Sequence, residues 1–465
     1  MPSRLPYTLS RLMLVAFTLL AALAAPSVQA DPETRELTLR NGMKVIVRPD
    51  RRAPVVISQV WYRIGSVDET NGITGISHVL EHMMFKGTRK VPSGEFSRRV
   101  AAAGGKENAF TSRDHTVYHQ LLATRHLPLV LELEADRMRN LVLDEAEFKK
   151  EIQVVMEERR WRVEDQPGSL VYETLVGTAL QAHPYRIPVI GYMDDLRNLT
   201  IQDVRAWYQR WYAPNNATLV VVGDVEPEAV FKLAEKHFGP LKPSLLPSRK
   251  PQNEPAQNGT RRVRVKAVAE EPTITMAWRA PTLTDPEREW VPYALDVLSG
   301  VLHGYPGARL HTRLVREQRI AVDVDAGYDG IGRGPSLFMM GGAPAPGRSV
   351  DELEAALRDQ IRLIAQEGVR PEELARARTQ VIASQVFARD SIRHQAGMIG
   401  NLESSGLGYR TEAILLQKMR EVTPEQVQQV ARELLLDDTL TVAILDPQPL
   451  PAGAKSKAPP SGVRH

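Results

Sequence analysis

The sequence predicts an α+β protein of two related halves, each a mostly antiparallel sheet packed with helices, and three observations carry that reading. Strand-like runs followed by helix-like runs occupy the chain up to Gly239, and the same order restarts after Arg261. Between them lies "GPLKPSLLPSRKPQNEPAQNGT", rich in proline, serine and asparagine, which reads as a semi-extended linker. The halves also end alike. "LTIQDVRAWYQRWYAPNNATLVVVGDVEP" closes the first and "VTPEQVQQVARELLLDDTLTVAILDPQP" the second. Each gives a Thr-started helix, a short turn, Thr-Leu, an apolar strand and then Asp. This is the pattern of an internal duplication, although helix-turn-strand is also a common unit in its own right.

Taken in order, "ELTLRNGMKVIVRPD" alternates apolar and polar residues around Asn41-Gly42, a hairpin signal. Val55 to Ser66 reads as a second strand. A helical spacing follows at Ile76, Val79, Leu80, Met83 and Met84. Glu107 to Ala123, rich in β-branched and aromatic residues, reads as one strand. Leu127 to Arg160 reads as helix with a break near Leu143-Asp144. Ala217 to Val225 is a buried strand, and a helix then stops at Gly239. The expected units are residues 31–240, a linker 241–260, residues 261–447 and a disordered tail 448–465.

The first thirty residues read as a secretory signal: Arg4 and Arg11, then the apolar run Leu12 to Ala25, then small residues at Val28-Gln29-Ala30. The mature chain would begin at Asp31, in a periplasmic or secreted location; an uncleaved anchor is the alternative. The formal charge of +3 includes Arg4 and Arg11, which leaves about +1 once they are removed and gives no reason to propose nucleic acid as a partner. The chain has no cysteine, which excludes disulfides, a thiolate zinc site and a lipid-modified cysteine anchor. At 465 residues it has enough core to do without covalent staples.

The segment "GISHVLEHMMFKGT" sets His78, Glu81 and His82 in H-x-x-E-H spacing. On a helix all three project to one side. Two imidazoles one turn apart can bind one divalent ion, with zinc as the default for nitrogen and oxygen donors. Glu81 is badly spaced to bind the same ion but well placed to take a proton from the water that ion activates. A third ligand is needed. In "FKKEIQVVMEERRWRVEDQP", Glu151 and Glu158 are two turns apart and share a face; Glu158 is the candidate ligand and Glu151 a carboxylate that orients a histidine N–H from behind. On spacing alone His115, His119, His126 and His183 remain competitors.

These motifs, with "GGKENAFTSRDHTVYH", "HPYRIPVIG" and "YAPNNATLVVVGD", resemble the pitrilysin/insulinase family of inverted-motif zinc peptidases, and most closely its short two-domain branch similar to the mitochondrial processing peptidase. The resemblance spans roughly residues 31 to 447. It implies one Zn2+ held by His78, His82 and Glu158, with Glu81 as the base. It implies an edge strand at Asn108 and Ala109 to which extended substrate adds, and paired domains that close like a clamshell on short or unfolded polypeptides. It also implies a second-domain arginine and tyrosine that bind substrate. Arg316 in "REQRIAV" matches the arginine, but the segment is one residue short and Val322 stands where the tyrosine belongs. The departure suggests a zinc-bearing subunit that needs a partner chain carrying the Arg/Tyr pair, or else a weak or altered activity; a homodimer, or a heterodimer with such a related chain, is the expected assembly. A non-catalytic assembly subunit, or a module that captures peptide around a structural zinc, are the competing readings.

Overall fold

Turn chemistry and apolar alternation build two sheets in the computed structural model, which describes residues 34–449; the expected signal segment, and the tail beyond 449, lie outside the described residues. Strands β1 (Arg35–Thr38) and β2 (Lys44–Pro49) form the hairpin expected around Asn41-Gly42, where Gly42 takes φ +87°. β3 spans Val55–Tyr62. The stretch expected as one strand from Glu107 is two, β4 (Lys106–Thr111) and β5 (Thr116–Ala123). Ser112 breaks it: its N–H donates to the His115 carbonyl at 2.8 Å while its hydroxyl accepts from the amides of Asp114 and His115. This is side-chain turn chemistry that outweighs the strand propensity of its neighbours. With β6 (Ala217–Gly223) the sheet order is β1-β2-β6-β3-β5-β4.

The second sheet comprises β7 (Arg261–Val268), β8 (Thr273–Ala280), β9 (Ala321–Tyr328), β10 (Ser336–Pro344) and β11 (Leu440–Gln448), in the order β7-β11-β8-β10-β9. With β1 set aside, both sheets read first, last, second, fourth, third strand. In both, the first and last strands pair in parallel and the rest are antiparallel. The helices that lead into β6 and β11 carry matching capping boxes, Thr200 with Asp203 and Thr423 with Gln426. Topology therefore repeats where the sequence only hinted at it.

The halves interlock. Helix Ile392–Ser405, from the second half, packs Ala396 and Ile399 on Ile57, Trp61 and Val220 of the first sheet. Helix Pro167–Ala179, from the first half, packs Val171 and Leu175 on Ala277, Ala443 and Leu445 of the second. Residues 242–258 form neither helix nor strand; within them the Glu254 carboxylate accepts from the amides of Gln181, Ala182 and His183. No helix among the described residues is long and apolar enough to cross a membrane.

The interlock needs Gly400, where a Cβ would lie 1.9 Å from the Trp61 ring. Helix propensity alone favours alanine there by about 1 kcal/mol, whereas overpacking costs about 1–3 kcal/mol. G400A is therefore expected to unfold at lower denaturant concentration than the unaltered chain, and equal or higher stability would show that the two halves do not meet through this helix.

Candidate metal centre

The helix Ile76–Met83 is short and almost wholly buried. Gly75 starts it at φ +84°, and a Cβ there would lie 2.5 Å from the Ile190 carbonyl oxygen, so only glycine fits. The carboxylate of Glu69 accepts from the amides of Gly75 (2.7 Å) and Ser77 (2.9 Å), which satisfies two donors at the helix start. Burial lifts that carboxyl to about 7 in spite of the two amides. Ile76, Val79, Leu80 and Met83 enter the core of the first half. His78 and Glu81 are only 7 % and 5 % exposed, so the motif is not an ordinary solvated helix face.

The partner helix, Glu145–Arg159, follows the expected break. Asp144 caps it by accepting from the amides of Ala146 and Glu147. It carries Glu151 and Glu158 to the motif helix. His78, His82 and Glu158 each offer one ligand atom within 4.8 Å of the others. Glu158 Oε2 lies 3.3 Å from His82 Nε2 and 3.8 Å from His78 Nε2. The His82 Nδ1–H donates to Glu151 Oε1 at 3.2 Å, and Lys86 Nζ lies 2.5 Å from the other Glu151 oxygen. Glu151 thereby orients the ring so that Nε2 faces Glu158 and the metal position. Two nitrogens and one carboxylate oxygen, with an open cleft beside them, suit a catalytic zinc. Glu81 lies on the cleft wall, and its Oε2 accepts from the Thr111 hydroxyl of β4 at 2.6 Å; burial raises its pKa, which makes it a stronger base.

In the metal-free chain a proton stands in for the cation. Burial pulls His82 down, but its bonds to Glu151 and Glu158 outweigh that and lift it to about 9. Burial works the other way on Glu158, and His82, His78 and Arg162 together hold it at about 2. A metal must expel the His82 proton, since imidazolium has no lone pair to give. The sign follows: below pH 9 zinc binding releases one proton, and affinity rises about tenfold per pH unit up to that value. Zinc competition titrations between pH 6 and 9 check this, and a flat profile would contradict the assignment of His82.

The competing histidines are engaged elsewhere. His115 meets Ser404 Oγ at 3.0 Å and the Trp61 ring, and burial lowers its pKa to about 3. His119 Nε2 accepts from Arg393 at 2.6 Å. His183 Nδ1 accepts the Tyr185 amide at 3.2 Å, and His126 ends a short turn before Leu127. Asn108 and Ala109 stand on β4, the edge of the first sheet. There the Ala109 amide is met by Asn108 Oδ1 (2.9 Å), and Ala109 lines the cleft. Arg316 is not brought to the site: it is exposed on the segment His311–Glu317 and absent from the cleft wall. Val322 on β9 is 54 % exposed, and the Tyr328 hydroxyl, which reaches the cleft, is taken by the Pro281 carbonyl.

Sequence reasoning missed three residues at the site: Glu69, Thr111 and Arg162. Only Arg162 had a local signal, its i,i+4 spacing from Glu158. The cleft holds about 1000 Å3 and is walled by both halves.

Comparison with known proteins agrees with this geometry. Residues 44–192 match the family model "Insulinase (Peptidase family M16)" and residues 198–381 match "Peptidase M16 inactive domain". The zinc protease PqqE of Helicobacter pylori is 32% identical over 95% of this chain and 99% of its own length. An uncharacterised zinc protease of Streptomyces coelicolor is 27% identical over 86% and 87%. The crystal structure of a protease from Helicobacter pylori superposes with a TM-score of 0.84 at 30% identity, covering 90% of this chain and all of that one. A putative M16-like peptidase from Alicyclobacillus acidocaldarius, at 22% identity and a TM-score of 0.79 over 91% of this chain and all of its own, shares the fold. The chain belongs to the insulinase family of peptidases, M16, in its two-domain form.

Proposed function

We propose that this chain is an exported zinc endopeptidase that hydrolyses peptide bonds in short or unfolded polypeptides. The observation that carries the reading is the convergence of His78, His82 and Glu158 beside a buried Glu81 on the wall of a large cleft. Zinc held by those three residues would supply a Lewis acid that acidifies water and polarises a carbonyl. Glu81 takes the proton of the attacking water and delivers it to the leaving nitrogen. Thr111 ties this carboxylate to β4, so the base and the strand that aligns substrate move together. Glu151 keeps His82 in one tautomer throughout. Export is supported by the sequence of residues 1–30, and a mature amino terminus at Asp31 would establish the cut.

The test is cleavage of a quenched unstructured peptide by the chain stripped of metal and then reloaded. Activity should vanish with the chelator and return with one zinc per chain; one zinc bound without turnover would sink the reading. Val322 in place of a tyrosine, and Arg316 outside the cleft, favour a second reading in which a related partner chain must be added before cleavage appears.

A further inference from the structure

We propose that Arg162 is a catalytic residue whose guanidinium donates to the scissile carbonyl oxygen as that oxygen gains charge. The inference rests on the peptidase reading above and names a group that reading lacks.

Past Arg159 the glutamate helix widens into one π-helical turn, Arg160–Glu164, a device common at functional sites. The turn sets Arg162 NH1 2.9 Å from Glu158 Oε1. Glu158 Oε2 faces the two histidines, so the cation lies across one carboxylate from the metal position. Arg162 lines the cleft together with His78 and Glu81, and its side chain is 42% exposed there. Its charge acts on both Glu81 and Glu158. The contact with Glu158 is made through NH1.

Elimination points the same way. No lysine, arginine or histidine is among the residues that the second half contributes to the cleft. Arg113 is held by the Tyr172 hydroxyl and lies over the Tyr172 and Tyr185 rings. Arg186 donates to Asn71. Of the three arginines on the cleft wall, Arg162 is thus the one that meets a carboxylate of the donor set. In the step, Glu81 takes a proton from water as the water oxygen bonds to the carbonyl carbon and the carbonyl oxygen becomes negative. The C–N bond then breaks as Glu81 protonates the nitrogen, while Arg162 keeps its own proton throughout. A fixed donor aimed at the developing charge is worth about 100-fold or more in rate.

The experiment compares the zinc-loaded chain with R162A and R162K. R162A should retain one zinc, lose kcat about 100-fold and change KM little, the mark of an interaction made in the transition state. R162K should recover part of kcat, and millimolar guanidinium should partly rescue R162A. A phosphinic peptide, which mimics the tetrahedral geometry, should bind R162A about 100-fold more weakly. The matched amide peptide should bind E81Q and E81Q/R162A alike. Zinc lost in step with activity would overturn the proposal in favour of a mere prop for Glu158. A rise in KM alone, or unchanged affinity for the mimic, would overturn it too. A chain that turns over no peptide, even with a related partner chain added, ends the peptidase reading and this proposal with it, whereas turnover that R162A leaves unchanged ends this proposal alone. A chain that does not bind the mimic overturns both.

Discussion

Glu81→Gln is expected to abolish measurable peptide cleavage while leaving the metal in place. The amide has nearly the same shape and can still meet the Thr111 hydroxyl, so the helix should not move. What disappears is the ability to take a proton. General acid–base groups of this kind contribute roughly 10^2 to 10^4-fold, and the upper part of that range is expected because the two other carboxylates packed on the histidines are engaged. Glu158 is turned to the histidines and Arg162, and Glu151 to His82 and Lys86. Metal analysis beside peptide kinetics makes the comparison. A variant that keeps its zinc and still cleaves at a tenth of the normal rate would remove Glu81 from the mechanism.

Glu158→Gln is expected to fail differently, by loss of the ion. The carboxylate is 1% exposed and supplies the only oxygen of the donor set. Loss of a partner behind a ligand costs about 10 to 100-fold in affinity, so loss of the ligand itself should cost at least the upper figure. Activity should fall in step with zinc content and return in part with excess zinc, which will not rescue Glu81→Gln. The two variants therefore separate binding from proton transfer. Zinc bound by Glu158→Gln as tightly as by the unaltered chain would mean that the third ligand lies elsewhere.

The two histidines, their glutamate and the carboxylates two turns apart were legible because one rigid element sets the geometry of each group. A helix converts spacing of three, four or seven into a common face without help from the rest of the chain. Choosing Glu158 over four histidines needed more, and it came from a resemblance rather than from spacing. Thr111 and Glu69 were illegible for the opposite reason. They reach the motif helix from a strand and a loop, and nothing in their neighbours records that approach. The split of β4 from β5 hid in a single serine hydroxyl amid strand-forming residues. Arg316 stands apart from the cleft wall because a local match to a motif says nothing of where its segment lands in space. The repeat of two halves, faint in residue identity, is plain in strand order, since pairing depends on apolar alternation rather than on particular side chains.

That strand order constrains how the chain is made. In each half the strand synthesised first pairs with the one synthesised last, β2 with β6 and β7 with β11. Until Ala217 to Gly223 emerges from the ribosome, β1-β2 and β3-β5-β4 are two unjoined fragments. The second half likewise waits for Leu440 to Gln448, almost at its carboxyl end. Contacts of such long sequence separation form late. Neither half can thus complete its sheet until its own last strand has emerged, so folding proceeds in two instalments, the second of them only as synthesis ends.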